Sequence, residues 1–255
     1  MVNKIYYFSG TGNSLWSAKK IAQIMGGELY NIGAEAHQEP LTVEADAVVM
    51  VFPSYAYGLP LIVRRFVQNA VFKTPYLAAL VTYGSSPGGT LGALRRILKK
   101  KGIGKMFFGR IPAVENYLAM FGPPKARTLE RRLLMQELAT EEAAHDIMER
   151  RENRVNTFCP CSAVVSWLFS RGAAIFYRHY RLSADCNGCG ICADLCPVAA
   201  IVIKDGRPLF TSRCEHCQGC VNICPSRAIR FGRVQWGAPG YCHPQIAISE
   251  LGVNH

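Results

Sequence analysis

Lys4-Ile5-Tyr6-Tyr7-Phe8-Ser9-Gly10-Thr11-Gly12-Asn13-Ser14 is the stretch on which the first half of the chain turns. Residues 4–8 are aromatic and β-branched, a strand signal. Residues 9–14 carry two glycines, three hydroxyls and an amide. Leu15, Ala18, Ile21, Ala22 and Met25 then recur at helical spacing until Gly26-Gly27 ends the pattern.

Strand, loop and helix follow one another again downstream. Short strands are expected at residues 29–32, 76–82 and 106–111 and a buried strand at 47–52, with helices at 61–70 and 90–101. A closing helix over residues 129–154 would be capped by Thr128. Strands spaced by helices imply an α/β fold with a doubly wound, five-stranded parallel sheet covered on both faces. Ligands of such sheets sit beyond the carboxyl ends of the strands, which singles out loops 9–14, 53–60 and 83–90. The first offers converging backbone N–H groups, hydroxyls and a helix N-terminus, which suits a phosphate. The other two bring Tyr55, Tyr57 and Tyr83, able to stack on a flat ring. A flat ring with a phosphate tail describes FMN.

The run Phe8-Ser9-Gly10-Thr11-Gly12-Asn13-Ser14 resembles the phosphate loop of the flavodoxin family, Ser/Thr-x-Thr-Gly-x-Thr, with Ser at the last position. It is neither a Walker loop nor a Rossmann G-x-G-x-x-G. The resemblance implies that Ser9, Thr11, Gly12, Asn13 and Ser14 hold the phosphate. It further implies that Ser54, Tyr55, Tyr57, Gly58 and the 83–89 loop, with Tyr83, Gly84, Gly88 and Gly89, surround the isoalloxazine. The bland alternatives are a turn that merely joins strand to helix and tyrosines that pack on their own loops. Flavodoxins are generally acidic, whereas this half is basic.

The 11 cysteines all lie at or beyond Cys159. Cys186, Cys189, Cys192 and Cys196-Pro197 recur 28 residues later as Cys214, Cys217, Cys220 and Cys224-Pro225, and Ala200-Ile201 recurs as Ala228-Ile229, so the segment is an internal duplication. No secretory signal is visible at the N-terminus, so metal explains the thiols better than disulfides do. A zinc site would have little use for the third cysteine and the Cys-Pro of each run. Residues 185–232 resemble the bacterial two-[4Fe–4S] ferredoxins, in which the fourth cysteine of each run ligates the other cluster. That resemblance implies one cluster on Cys186, Cys189, Cys192 and Cys224 and a second on Cys214, Cys217, Cys220 and Cys196. Ile191, Val198, Ile201, Ile203, Phe210, Val221, Ile223, Ile229 and Phe231 would form a dry shell around them. His216, inside the second loop, reads as a neighbour of the ligands or a solvent-facing residue. Cys159, Cys161 and Cys242 read as ordinary thiols; a third metal site would need His243 or His179 as well.

The longest apolar stretch, residues 163–180, is broken by Arg171 and Gly172, so no membrane span is expected. The formal charge of +11 is spread along the chain rather than gathered in a stripe, which favours an acidic protein partner over nucleic acid. Two oxidised clusters, each a dianion with its thiolates, would lower that charge to about +7. The expected organisation is a flavodoxin-like region at 1–155, a helical linker at 156–184 that packs on a domain, a ferredoxin region at 185–233 and a tail at 234–255. The combination resembles a family of small bacterial and archaeal flavodoxin-domain ferredoxins. It implies a cytoplasmic, anaerobic electron-transfer protein that passes electrons between FMN, two [4Fe–4S] clusters and a redox partner. A reductase acting directly on a small molecule is the alternative. A redox-sensing module without flavin is a third reading, against which the intact first loop stands.

Overall fold

The computed structural model describes residues 2–36, 41–155, 160–232 and 237–252. The first region runs β1 (Asn3–Tyr7), α1 (Asn13–Met25), β2 (Glu28–Asn31), α2 (Ile32–Glu35), β3 (Thr42–Glu44), β4 (Ala47–Pro53), α3 (Leu61–Asn69), β5 (Val71–Lys73), β6 (Tyr76–Tyr83), α4 (Thr90–Lys100), β7 (Lys105–Pro112), α5 (Leu118–Phe121) and α6 (Ala126–Met148). Five of these strands form one parallel sheet in the order β2-β1-β4-β6-β7. This is the doubly wound, flavodoxin-like order, and it reverses between β1 and β4, where a crevice opens beyond the strand ends.

Alternation along β4 fills both faces. Val48, Met50 and Phe52 pack with Ile62, Val63 and Phe66 of α3 and Leu94 and Leu98 of α4. Val49 and Val51 pack on the other face with Ala18 and Ile21 of α1 and Ala143, Ala144 and Ile147 of α6. A strand buried on both faces has no polar positions, which is why residues 47–52 are apolar throughout.

The closing helix departs from expectation. It starts at Ala126, directly behind Pro123-Pro124, with Lys125 at the flanking position and no side-chain cap, so Thr128 lies inside the first turn. It stops at Met148. Arg150 then turns left-handed (φ 53°), and Asn153 takes the backbone of Phe108 on both sides, its Oδ1 accepting the N–H at 2.8 Å and its Nδ2 donating to the C=O at 3.0 Å. Those bonds satisfy the open edge of β7, so residues 149–155 run beside the sheet instead of prolonging the helix.

The second region contains α7 (Pro160–Phe176), a 3₁₀ turn (Tyr177–His179), β8 (Tyr180–Leu182), α8 (Ile191–Asp194), β9 (Ile201–Lys204), β10 (Arg207–Phe210), α9 (Gly219–Ile223) and β11 (Ile229–Phe231). β8 pairs antiparallel with β11, and β9 with β10. The small sheet therefore begins at Tyr180, inside the stretch read as linker. Residues 237–252 return to the first region: Leu251 and Ile246 pack with Leu15 of α1, and Lys19 pairs with Glu250. Among the described residues no helix is long and apolar enough to cross a membrane.

Candidate cofactor site

A cavity of about 310 Å³ lies beyond the carboxyl ends of β1, β4 and β6. Ser9, Thr11, Asn13, Ser14, Ser54, Tyr55, Tyr57, Tyr83 and Gly84 line it. Of the residues singled out from sequence, Gly12, Gly58, Gly88 and Gly89 lie outside the lining. Gly12 flanks α1 with a left-handed backbone and faces His243 and Ile246 of the tail. Gly58 closes a small bridge with Tyr55 and faces Ser166 of α7; Gly88 packs against Tyr57; the Gly89 N–H donates to the Tyr57 carbonyl. All four serve close approach between loops.

The first loop is held by its own polar groups. The Gly12 N–H donates to Ser9 Oγ at 3.0 Å, and Ser14 Oγ and Thr82 Oγ1 are 2.8 Å apart. Thr11 Oγ1 accepts from Asn116 Nδ2 at 2.6 Å, which leaves the threonine hydroxyl hydrogen free to donate. No side chain caps α1 and no acidic residue sits in its first turn, so its N-terminal N–H groups and positive end are open to an anion. Asn13 does not point at a ligand alone: its Nδ2 donates to the Val114 carbonyl at 3.0 Å and its Oδ1 accepts from Tyr241 Oη at 2.6 Å. Tyr55 sits half-buried with its ring edge on Phe8, 6.0 Å between centroids, while Tyr57 stands exposed at the mouth.

Several lining residues lie outside the three loops expected to hold the ligand. Glu115, Asn116 and Tyr117 follow β7, Met120 and Phe121 belong to α5, and Val165 and Phe169 to α7. His216, Cys217 and Gln218 come from the second cysteine loop. Of the two expectations for His216, solvent-facing is excluded by its burial, and it neighbours the cysteines through its N–H to Cys214 Sγ. Its ring nitrogens lie 3.1 Å from Tyr117 Oη and 3.2 Å from Tyr180 Oη, and burial lowers its pKa to about 4.

The eight repeated cysteines fall into two groups, and the groups cross between the runs. Cys186, Cys189, Cys192 and Cys224 line one small pocket, with Cys189 exposed to solvent; we call this the outer set. Cys196, Cys214, Cys217 and Cys220 make up the inner set. Burial raises the pKa of Cys214, Cys217 and Cys220, and a thiolate at Cys196 nearby raises all three further. Cys196, Cys214 and Cys217 pack against the core of the first region beside Tyr55. Backbone N–H groups are aimed at the sulfurs in a repeated pattern: Ala200 N to Cys196 Sγ at 3.1 Å, Ala228 N to Cys224 Sγ at 3.3 Å, and His216 N to Cys214 Sγ at 3.3 Å. Such donors favour thiolates, whereas burial alone keeps the thiols protonated, pushing Cys192 to about 11. Among the described residues no three His, Cys, Asp or Glu side chains converge tightly enough for a single ion.

Val198, Ile201, Val221, Ile223, Ile229 and Phe231 of the expected dry shell are buried, but Ile203 is 39% exposed. Ile203 sits on the β9–β10 hairpin and leaves that side of the outer set thinly covered. Cys159 lies outside the described residues and Cys161 falls in α7. Cys242 Sγ donates to the Ile246 carbonyl at 3.6 Å, and His243 is stacked on Trp16.

Residues 157–229 match the family profile of the 4Fe-4S dicluster domain. No curated protein matches the sequence. Three solved structures similar to the first region are an azoreductase from Bacillus anthracis str. Sterne, an FMN-dependent NADH-azoreductase from Bacillus anthracis str. Ames Ancestor in complex with FMN, and a flavodoxin from the domain Archaea. The first is 10% identical with a TM-score of 0.38, over 57% of this chain and 98% of that one. The second is 8% identical with a TM-score of 0.41, over 58% and 99%. The third is 17% identical with a TM-score of 0.33, over 57% and 100%. The 4Fe-4S dicluster match thus lies behind an α/β region whose five-stranded parallel sheet has the flavodoxin-like strand order.

Proposed function

We propose that this protein is an electron-transfer protein that binds FMN in the cavity and a [4Fe–4S] cluster on each cysteine set, and that it passes electrons to a redox partner. The observation that carries this reading is the position of Cys217. It belongs to the inner set and also lines the cavity, so a ring bound there would lie beside an iron–sulfur ligand. When bound, FMN would exchange electrons singly or in pairs and each cluster would take one at a time.

The chain's own residues supply the rest. Thr11, Ser14 and the uncapped end of α1 would neutralise the phosphate, while Tyr57 and Tyr83 would flank the ring. Phe169 of α7 would lend an apolar wall to the ring's side of the cavity. The N–H···S bonds to Cys196, Cys214 and Cys224 would stabilise the anionic clusters, and the exposed Cys189 marks where the outer set meets solvent. The net charge of +11, spread along the chain, supports an acidic redox protein as partner and not nucleic acid; a cytoplasmic, anaerobic setting completes the proposal. A second reading, direct reduction of a small molecule at the flavin, is favoured by the exposed apolar residues Met120 and Phe121 at the cavity.

Anaerobic purification followed by an absorption spectrum and counts of flavin, iron and sulfide tests the proposal. It expects one FMN and about eight irons per chain by ligand count. Stoichiometric zinc, or no flavin, overturns it. Turnover of a small acceptor without any added protein would select the second reading.

A further inference from the structure

The two cysteine loops are copies displaced by 28 residues, and they differ at the two turn positions that adopt a left-handed backbone. The outer copy has Gly188 (φ 71°) and Gly190 (φ 79°), the residue type for which that conformation is free of strain. The inner copy has His216 (φ 58°) and Gln218 (φ 61°) at the equivalent positions. A third equivalent pair, Ala199 (φ 47°) and Arg227 (φ 50°), confirms that the backbones match. The strain of a non-glycine residue here is tolerated in the loop that borders the cavity, and both side chains are buried and line it.

Their hydrogen bonds divide the labour. His216 is satisfied by the hydroxyls of Tyr117 and Tyr180. Gln218 Nε2 donates to Tyr180 Oη at 3.0 Å, and Oε1 is buried with no partner. A buried acceptor without a donor is unfavourable unless a ligand supplies the donor. The pyrimidine edge of a flavin carries one N–H.

Resting on the FMN reading above, we propose that Gln218 Oε1 accepts a hydrogen bond from the flavin ring N–H, so that the loop of the inner cysteine set is a wall of the flavin site and FMN binds more tightly when that loop holds its cluster. A second path carries the same coupling. Asn222 of α9, between Cys220 and Cys224, donates to the Asn116 carbonyl at 3.0 Å, and Asn116 Nδ2 donates to Thr11 Oγ1 in the phosphate loop. Ordering the cysteine loop therefore orders both ends of the flavin site. By linkage, bound FMN raises the affinity of the inner set for its cluster to the same degree.

The test measures FMN affinity by quenching of flavin fluorescence on the full chain. Gln218→Met keeps the side-chain length and removes the acceptor; FMN binding falls about tenfold, the loss of one buried hydrogen bond, with iron and sulfide counts unchanged. His216→Gly with Gln218→Gly gives the inner loop the residues of its twin, and it weakens FMN at least as much while the iron chromophore resists urea as well as before. The chain stripped of iron, with its first region still folded by circular dichroism, binds FMN more weakly than the loaded chain. Unchanged affinity in Gln218→Met, or equal affinity of stripped and loaded chains, overturns this inference. A loaded parent chain that takes up no FMN overturns the FMN reading itself.

Discussion

Thr11→Ala combined with Ser14→Ala removes two of the hydroxyls assigned to the phosphate. A hydrogen bond to a charged acceptor is worth about 1.5–3 kcal/mol, so the pair sets an upper range of about 3–6 kcal/mol. The structure argues for the lower end. Ser14 already has a partner in Thr82, 2.8 Å away, and trades it on binding, whereas the Thr11 hydroxyl hydrogen is uncommitted. A loss of about 3 kcal/mol raises the FMN dissociation constant roughly a hundredfold. The variant also leaves Asn116 Nδ2 without its acceptor, but that cost is borne by free and bound protein alike and drops out of the binding difference. Titration of the flavin-free, iron-loaded chain with FMN reads the effect, and riboflavin, which lacks the phosphate, is the control. Riboflavin binding should be unchanged. An FMN constant within a few-fold of the parent refutes the phosphate assignment, and an equal loss for riboflavin means that the cavity collapsed.

Three other substitutions probe the rest of the assembly. Cys196→Ser should remove the cluster on Cys214, Cys217 and Cys220 and spare the one on Cys186, Cys189, Cys192 and Cys224; electron paramagnetic resonance of the reduced chain with iron counting distinguishes them, and loss from the outer set would refute the crossed grouping. Asn222→Ala deprives the Asn116 carbonyl and the Tyr241 N–H of buried partners, so it should cost about 2–3 kcal/mol and speed hydrogen exchange in residues 237–252, measured by mass spectrometry. His243 is buried on Trp16 and its pKa falls from 6.5 to about 4. Its folded pKa lies below its unfolded one, so the tail's docking is at full strength above pH 6.5 and weakens as pH falls toward 4, by at most about 3 kcal/mol. Proteolysis of the tail across that window follows it, and His243→Phe should flatten the profile.

The parallel sheet was readable because strands buried on both faces leave unbroken apolar runs, and the cysteine pattern was readable because it recurs unchanged 28 residues later. What escaped was set by contacts distant in sequence. The start of α6 follows from Pro123-Pro124 and the packing of Ala143, Ala144 and Ile147, not from the capping potential of Thr128. β3 and β5, three residues each, are too short to carry a period. Gly58, Gly88 and Gly89 lie in the expected loops but pack against neighbouring chain, since tight loop packing and close ligand approach ask for the same residue. The lining supplied by α5, α7 and the second cysteine loop had one readable trace. Aligning the two runs sets His216 against Gly188 and Gln218 against Gly190, a change that a purely structural duplication does not need.

Part of the joint between the two regions is main chain seated on main chain. A Cβ at Gly10 would stand 3.0 Å from the Cys217 carbonyl, one at Gly219 would stand 2.9 Å from the Gly10 carbonyl, and one at Gly240 would overlap Asn222. Main chain seated on main chain has few rotamers to absorb sliding, so this contact specifies a relative position more sharply than a layer of long side chains does. It falls between the loop assigned to the flavin phosphate and the loop of the inner cysteines. A tether alone would leave the two cofactors to meet at an effective concentration of about millimolar. On the proposed reading the meeting would be built into the fold, with the inner loop serving the flavin and the outer set, whose Cys189 is at the surface, left to face the partner.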